Sequence, residues 1–268
     1  MNTFEEEETL ETLKVIISGF LMALVLNAYS FTKYFNKEWS WVNWLPVKLL
    51  ASCMAYMETF FHELGHTVIY WFYGYITLPS FDFQHGGGMT YPVTGSLLIL
   101  HLALYAFLAR MIWHWQGRIK LQITFGAIIL FHLLTVHNDA HTVIAIFGGP
   151  LIPLFIAAFL LIRAWFDLAP RGIVERFLNA AFGFGLALSA ISHGWSLLHD
   201  NVVRQVYFKQ KDGHGFGDFD LMADISDINF STLIWVWLIF AVAAMIIPAI
   251  LYLKRDDVYA FLDANKTE

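Results

Sequence analysis

Charge is scarce in this sequence: Asp, Glu, Lys and Arg make up only 14% of its 268 residues, where an ordinary soluble domain carries about 25%. Set beside 58% apolar residues, that deficit excludes an ordinary water-soluble globule. Cysteine is nearly absent as well. The single Cys53 rules out an internal disulfide, a four-cysteine zinc site and a CxxC redox pair, and within an apolar helix it reads as a packing residue. No basic cluster is interleaved with aromatics, so nucleic acid is not an expected partner. The acidic opening, Glu5 to Glu8 and Glu11, lacks the basic start of a cleavable signal peptide. Internal repeats, low-complexity linkers and domain boundaries are also missing, and nothing in the sequence specifies an oligomer.

What the chain has instead is a series of long apolar stretches, near 13–31, 47–73, 95–115, 120–140, 142–166, 177–199 and 230–253. Their lengths suit helices that span a bilayer. The expected fold is therefore an all-α polytopic membrane protein with about seven transmembrane helices. An acidic extramembrane segment covers 1–12, a single transmembrane domain covers 13–253 with a metal-site core at about 47–166, and a tail covers 254–268.

Two connections are long enough to carry structure. Between Tyr75 and Thr94, short alternating runs flank Gly86-Gly87-Gly88, the pattern of a small β-hairpin or a strand-like re-entrant loop after the second helix. The polar loop over 200–229 contains Asp212, Asp218, Asp220, Asp224 and Asp227. Its Asp-Gly-His-Gly-Phe-Gly-Asp stretch suggests a calcium loop, but the spacing does not match an EF-hand. With seven crossings, Lys33, Lys37, Lys48, Arg110, Arg118, Lys120, Arg163, Arg171, Arg176, Lys254, Arg255 and Lys266 share one side, against Lys14, Arg204, Lys209 and Lys211 on the other. The positive-inside rule then predicts an outward N-terminus, a cytoplasmic C-terminus and both structured loops outside.

Against the sparse charge stand 11 histidines, which are costly in hydrocarbon unless they face protein, water or a metal. Two of them belong to His62-Glu63-Leu64-Gly65-His66, an HExxH sequence on the second helix. At about 100° per residue, His62 and His66 lie about 40° apart and one turn apart in height, so both imidazoles can bind one ion. Glu63 falls about 60° beyond His66 by the same period, beside the metal, where it can accept a proton from water. The bland alternative, a packed histidine pair neutralised by glutamate, leaves a carboxylate in an apolar helix at a cost of several kcal/mol. Glu58, one turn before His62, is placed either to orient that imidazole or to partner a polar group on another helix.

Two histidines leave zinc short of the usual three protein ligands. The candidate source is His137-Asn138-Asp139-Ala140-His141, near the end of the fourth stretch. If this segment is helical, His137 and His141 share one face, while Asp139 lies about 200° from His137 and shares its face with His132. Asp139 as ligand predicts a mononuclear site with two histidines and one aspartate; His137 with His141 predicts a more histidine-rich or dinuclear one. A helix break would relax the choice. His101, His193 and His199 fall at similar depth as alternative ligands or supporting residues, with Asp200 on the face of His193; His85 reads as solvated and His114 as remote.

His62-Glu63-Leu64-Gly65-His66, the helix end Tyr70-Trp71-Phe72-Tyr73-Gly74 and the strand-like Tyr75-Ile76-Thr77-Leu78 resemble the site-2 protease family of intramembrane zinc metalloproteases over roughly residues 50–160. In that family an HELGH-type helix precedes a β-hairpin and a later helix supplies an aspartate ligand. The resemblance implies Asn138-Asp139 as the aspartate segment and Gly148-Gly149-Pro150-Leu151 as the glycine-proline motif. The order departs from the family, whose glycine-proline motif usually precedes the aspartate, and the Asn-Pro-Asp-Gly or Leu-Asp-Gly pattern is absent. The expected activity is zinc-dependent hydrolysis of a peptide bond in or beside the membrane, with Glu63 as general base, His62, His66 and Asp139 as ligands, and a membrane protein or peptide as substrate. One rival is a di-iron hydroxylase or desaturase holding two Fe with the groups around His62, His137 and His193 to His199, although the chain has no adjacent His-His pair. A second is a non-catalytic metal-binding membrane subunit.

Overall fold

The computed structural model describes residues 3–28, 44–82, 87–209 and 217–264. The expectations for His85, Lys33, Lys37, Lys211, Asp212 and Lys266 lie outside them. Each of the seven apolar stretches contains a helix: α1 (Thr3–Leu26), α2 (Leu45–Phe72), α3 (Leu98–His114), α4 (Ile119–Thr135), α5 (Ala140–Trp165), α6 (Ile173–His199) and, after two short helices α7 (Asn201–Lys209) and α8 (Asp218–Ser226), α9 (Phe230–Leu253). A final helix, α10 (Arg255–Ala264), ends the described chain. Among the described residues, four segments are long and apolar enough to cross a membrane: Glu7–Leu26, α5, α6 and α9. Helix α2 has the length, at 28 residues, but carries Lys48, Glu58 and Glu63. Helices α3 and α4 have 17 residues each, about 25 Å at 1.5 Å per residue, against a hydrocarbon core of about 30 Å.

Helix α5 is the centre of the bundle, packed by α2, α6 and α9. Small residues make this possible. A Cβ on Gly65 of α2 would lie 2.2 Å from the Gly148 carbonyl oxygen of α5, and one on Gly183 of α6 would lie 2.8 Å from Leu161. Close backbone approach of this kind is how apolar helices gain contact when burial from water does not drive them together. Leu154, Ala157, Leu186, Ala187, Ile234, Leu238 and Ala241 form the shared core. Ile239, Ile246 and Ile250 of α9 remain exposed, as expected for a helix with protein on one side and lipid on the other.

Seven alternating crossings would set α1 antiparallel to α6. Thr12 accepts a hydrogen bond from Arg176 at 2.6 Å, and Asn27 donates to the Gly185 carbonyl at 3.1 Å, so α1 runs parallel to α6. Glu8 consequently lines the same cleft as Arg176, Tyr252 and Arg255. The start and end of the described chain lie at one end of the bundle, whereas seven full crossings would separate them. Counting apolar stretches misses this because it assumes that each one reverses the chain direction.

The expected hairpin is present. Strands β1 (Thr77–Asp82) and β2 (Gly87–Pro92) pair antiparallel, with Thr77 opposite Pro92 and Asp82 opposite Gly87. Gly74, at φ +75°, turns the chain out of α2 in a conformation that disfavours side chains, and a Cβ there would also lie 2.7 Å from His101. The hairpin docks back on α2: the Trp71 indole donates to the Thr77 carbonyl at 2.9 Å, and Thr77 Oγ1 donates to the Thr67 carbonyl at 3.3 Å.

Candidate metal centre

On α2 the HExxH spacing stacks His62 over His66, with their Nε2 atoms 3.1 Å apart. His66 Nδ1 lies 2.9 Å from the Ala145 carbonyl on α5. Donation to that carbonyl uses the Nδ1 proton and leaves Nε2 facing His62 and Asp218. The approach depends on Gly149, where a Cβ would lie 2.2 Å from His66 Nε2.

The third group is Asp218, the first residue of α8. Its Oδ2 lies 2.8 Å from His62 Nε2 and its Oδ1 3.6 Å from His66 Nε2. Zinc with nitrogen and oxygen ligands at about 2.0–2.1 Å in a tetrahedron spaces those ligand atoms about 3.3 Å apart. The two Nε2 atoms, 3.1 Å apart, are close to that value, and one ligand atom from each of His62, His66 and Asp218 lies within 4.8 Å of the others, so the three residues could hold such a cation. Burial by itself would raise the Asp218 carboxyl. The charge and hydrogen bonds of His62 and His66 outweigh burial and hold it well below the ordinary carboxylate range.

Glu63 is buried on α2 beneath the hairpin. Thr90 of β2 donates to its Oε2 at 2.7 Å, and Thr90 Oγ1 also lies 3.0 Å from the Glu63 main-chain oxygen. Strand β2 comes this close because Gly88 has no side chain: a Cβ there would lie 2.4 Å from Glu63 Cγ. The hairpin therefore fixes one carboxylate oxygen of Glu63 and covers the residue.

The other expected residues fall elsewhere. Asp139 is exposed at the N-cap of α5, and among the described residues it is Asp218, not Asp139, that lies with His62 and His66. The reason is local: α4 ends at Thr135, so His137, Asp139 and His141 do not continue the face of His132. His137 is exposed in the intervening turn. His141 lies 3.1 Å from the Tyr75 hydroxyl and 2.5 Å from the Asn138 carbonyl. His132 is buried with both ring nitrogens engaged, Nδ1 by Tyr105 at 2.7 Å and Nε2 by the Phe72 carbonyl at 3.1 Å. That pairing docks α4 onto the end of α2. His193 packs near Trp237 and Tyr207, and His199 stacks on Trp195. Glu58 accepts a hydrogen bond from Ser189 on α6 at 2.5 Å, tying α2 to α6. Among the described residues, His62, His66 and Asp218 are the one group of three placed to hold a metal; the three histidine groups of a di-iron arrangement do not converge.

Asp218 was visible in the sequence only as one acidic residue of a polar loop. Structure brings it in through α8, whose Phe219 and Met222 are buried among core residues that include Trp237. Beside it, burial and the Asp218 charge push the Tyr207 phenol far up, so it stays protonated.

Fold and site together define a helical membrane protein with a His-His-Asp cluster beside a buried glutamate. No family model, curated protein or solved structure matches the chain.

Proposed function

We propose that this chain is an intramembrane zinc metalloprotease of the site-2 type that hydrolyses a peptide bond of a membrane protein or peptide. The observation that carries this reading is the meeting of His62, His66 and Asp218 at ligand spacing, with Glu63 held next to them in sequence. The family order that Asp139 violates is satisfied by Asp218, because Gly149-Pro150 precedes it. His62, His66 and Asp218 would hold the ion, which when bound supplies Lewis acidity to the scissile carbonyl and to water. Glu63, its Oε2 fixed by Thr90, would take the water's proton and return it to the leaving amine. A helical substrate hides its carbonyls in hydrogen bonds, so it must be extended locally. The β1–β2 hairpin lies where an extended segment can add as a further strand beside Glu63.

The same reading places both termini in the cytoplasm. Lys14, Lys48, Arg110, Arg118, Lys120, Arg163, Arg171, Arg176, Lys254 and Arg255 fall towards the end of the bundle that holds Glu8 and Arg255, while Arg204 and Lys209 lie at the other. Helix α2 then crosses as a polar-sided span shielded by α5 and α6, and the metal cluster sits near the outer face.

The test is cleavage of a library of single-span reporter peptides by the full chain in zinc-loaded vesicles, read by mass spectrometry. Wild type should cleave and Glu63→Gln should not, although both bind one zinc. Equal turnover by the two, or a wild type without zinc, refutes the proposal.

A further inference from the structure

The structure assigns Tyr207 as the residue that sets the third metal ligand in place, acting as a helix cap supplied from outside the helix. This inference rests on the reading of His62, His66 and Asp218 as a metal site. Asp218 is the first residue of α8, and the N-cap position before it is Gly217, which has no side chain to accept a hydrogen bond from the first turn. A helix start ordinarily uses a Ser, Thr, Asp or Asn at that position to accept from the second or third N–H. Here Phe219, the second residue, donates its backbone N–H to the Tyr207 hydroxyl at 3.0 Å. The phenol stands where a capping side chain would stand: a Cβ on Gly217 would lie 2.2 Å from Tyr207 Cζ and 2.3 Å from its hydroxyl oxygen. The glycine and the tyrosine are therefore two halves of one cap.

Tyr207 is itself held. Asp200 accepts from the N–H groups of Val202 and Val203 at 2.7 and 3.2 Å, starting α7. Arg204 donates to the Leu197 and Leu198 carbonyls at 2.8 and 2.6 Å, clamping α7 to the end of α6. Arg204 thus ties α7 to the α6 terminus, and Tyr207 of the same helix meets the backbone of α8 beside the residue whose carboxylate lies against His62 and His66. Burial of Phe219 and Met222 holds α8 against the bundle. The tyrosine hydroxyl fixes the end of the helix at which Asp218 projects. Tyr207 touches neither imidazole by any hydrogen bond and is a positioning residue.

The experiment measures zinc affinity of the full chain in detergent by competition with a chromophoric chelator, together with the visible spectrum of the Co²⁺-loaded protein, which reports the ligand set directly. Tyr207→Phe keeps the ring and removes the acceptor; zinc should bind about tenfold more weakly, the scale of a lost cap, and the Co²⁺ spectrum should change. Tyr207→Ala should be at least as weak. Adding Gly217→Ser to Tyr207→Ala, where the ring no longer blocks the side chain, should restore affinity to within about threefold of wild type because serine caps from within the helix. A Tyr207→Phe protein with wild-type affinity and spectrum overturns the inference while leaving the metal site intact. So does failure of the serine to rescue a double variant that melts like wild type. A wild-type chain that takes up neither Zn²⁺ nor Co²⁺ removes the metal site and this inference with it.

Discussion

Replacing either Asp218 or Asp139 by asparagine, one at a time, separates the third ligand proposed from the tertiary arrangement from the one that the family resemblance implies. Asp218 is the only anion in the cluster, 2.8 Å from His62 and 3.6 Å from His66. Asp218→Asn would preserve the shape while removing the charge, leaving two imidazoles 3.1 Å apart to hold a divalent cation. Breaking one partner out of a buried charged cluster costs about 3–5 kcal/mol. At about 1.4 kcal/mol per tenfold, zinc should bind about 10²- to 4 × 10³-fold more weakly. Asp139 is exposed and makes no side-chain cap bond at the start of α5, so Asp139→Asn should stay within about 0.5 kcal/mol, roughly twofold. Chelator competition on the purified chain measures both. Loss of zinc in Asp139→Asn with retention in Asp218→Asn would refute the assignment, and so would equal affinities for all three proteins.

Gly149→Ala should drive a methyl group into the His66 ring, displace it from the Ala145 carbonyl and weaken zinc binding about 10- to 100-fold, the usual scale for disturbing a ligand's support; the same competition assay checks it. Thr90→Val removes a hydrogen bond to the Glu63 carboxylate worth about 1.5–3 kcal/mol, so reporter cleavage should fall about 10- to 100-fold with unchanged zinc content, and Thr90→Ser should recover most of it. His132→Phe leaves the Tyr105 hydroxyl and the Phe72 carbonyl without their partner; a stability loss of about 1–3 kcal/mol in thermal unfolding, without loss of zinc, is expected. Cysteines introduced at Glu8 and Asp256 should be labelled by an impermeant reagent from the same side of sealed vesicles, because both positions line one cleft.

The sequence by itself determined the class of protein and the position of its chemistry along the chain. Apolar runs of spanning length predict helices without reference to any partner, and all seven contain one. The HExxH spacing is local too: a helix of 3.6 residues per turn stacks His62 on His66 wherever it lies. The hairpin was equally legible, since alternating residues around Gly86-Gly87-Gly88 specify a tight reversal.

Properties that depend on how distant segments meet were decided only by tertiary structure. Spacing on a continuous helix left Asp139 and the His137–His141 pair as alternatives, and the family resemblance implied Asp139, but α4 stops at Thr135 and that face ends there. Asp218 lies 152 residues beyond His66 in sequence, in a loop with other aspartates of equal promise, and nothing local distinguishes it. The resemblance offered one signal, since the glycine-proline motif of the family it implies usually precedes the aspartate. What selects Asp218 is the burial of Phe219 and Met222 against the bundle and the Tyr207 cap at its backbone. The parallel run of α1 beside α6, which brings Glu8 to the end of the bundle that holds Arg255, is likewise a matter of packing. The histidine surplus resolves in the same way: His132, His141 and His199 hold turns and helix ends together through hydrogen bonds and ring stacking. A residue's chemistry can be read from its type, but whether it serves a metal or a helix junction depends on which lone pairs its neighbours have already taken.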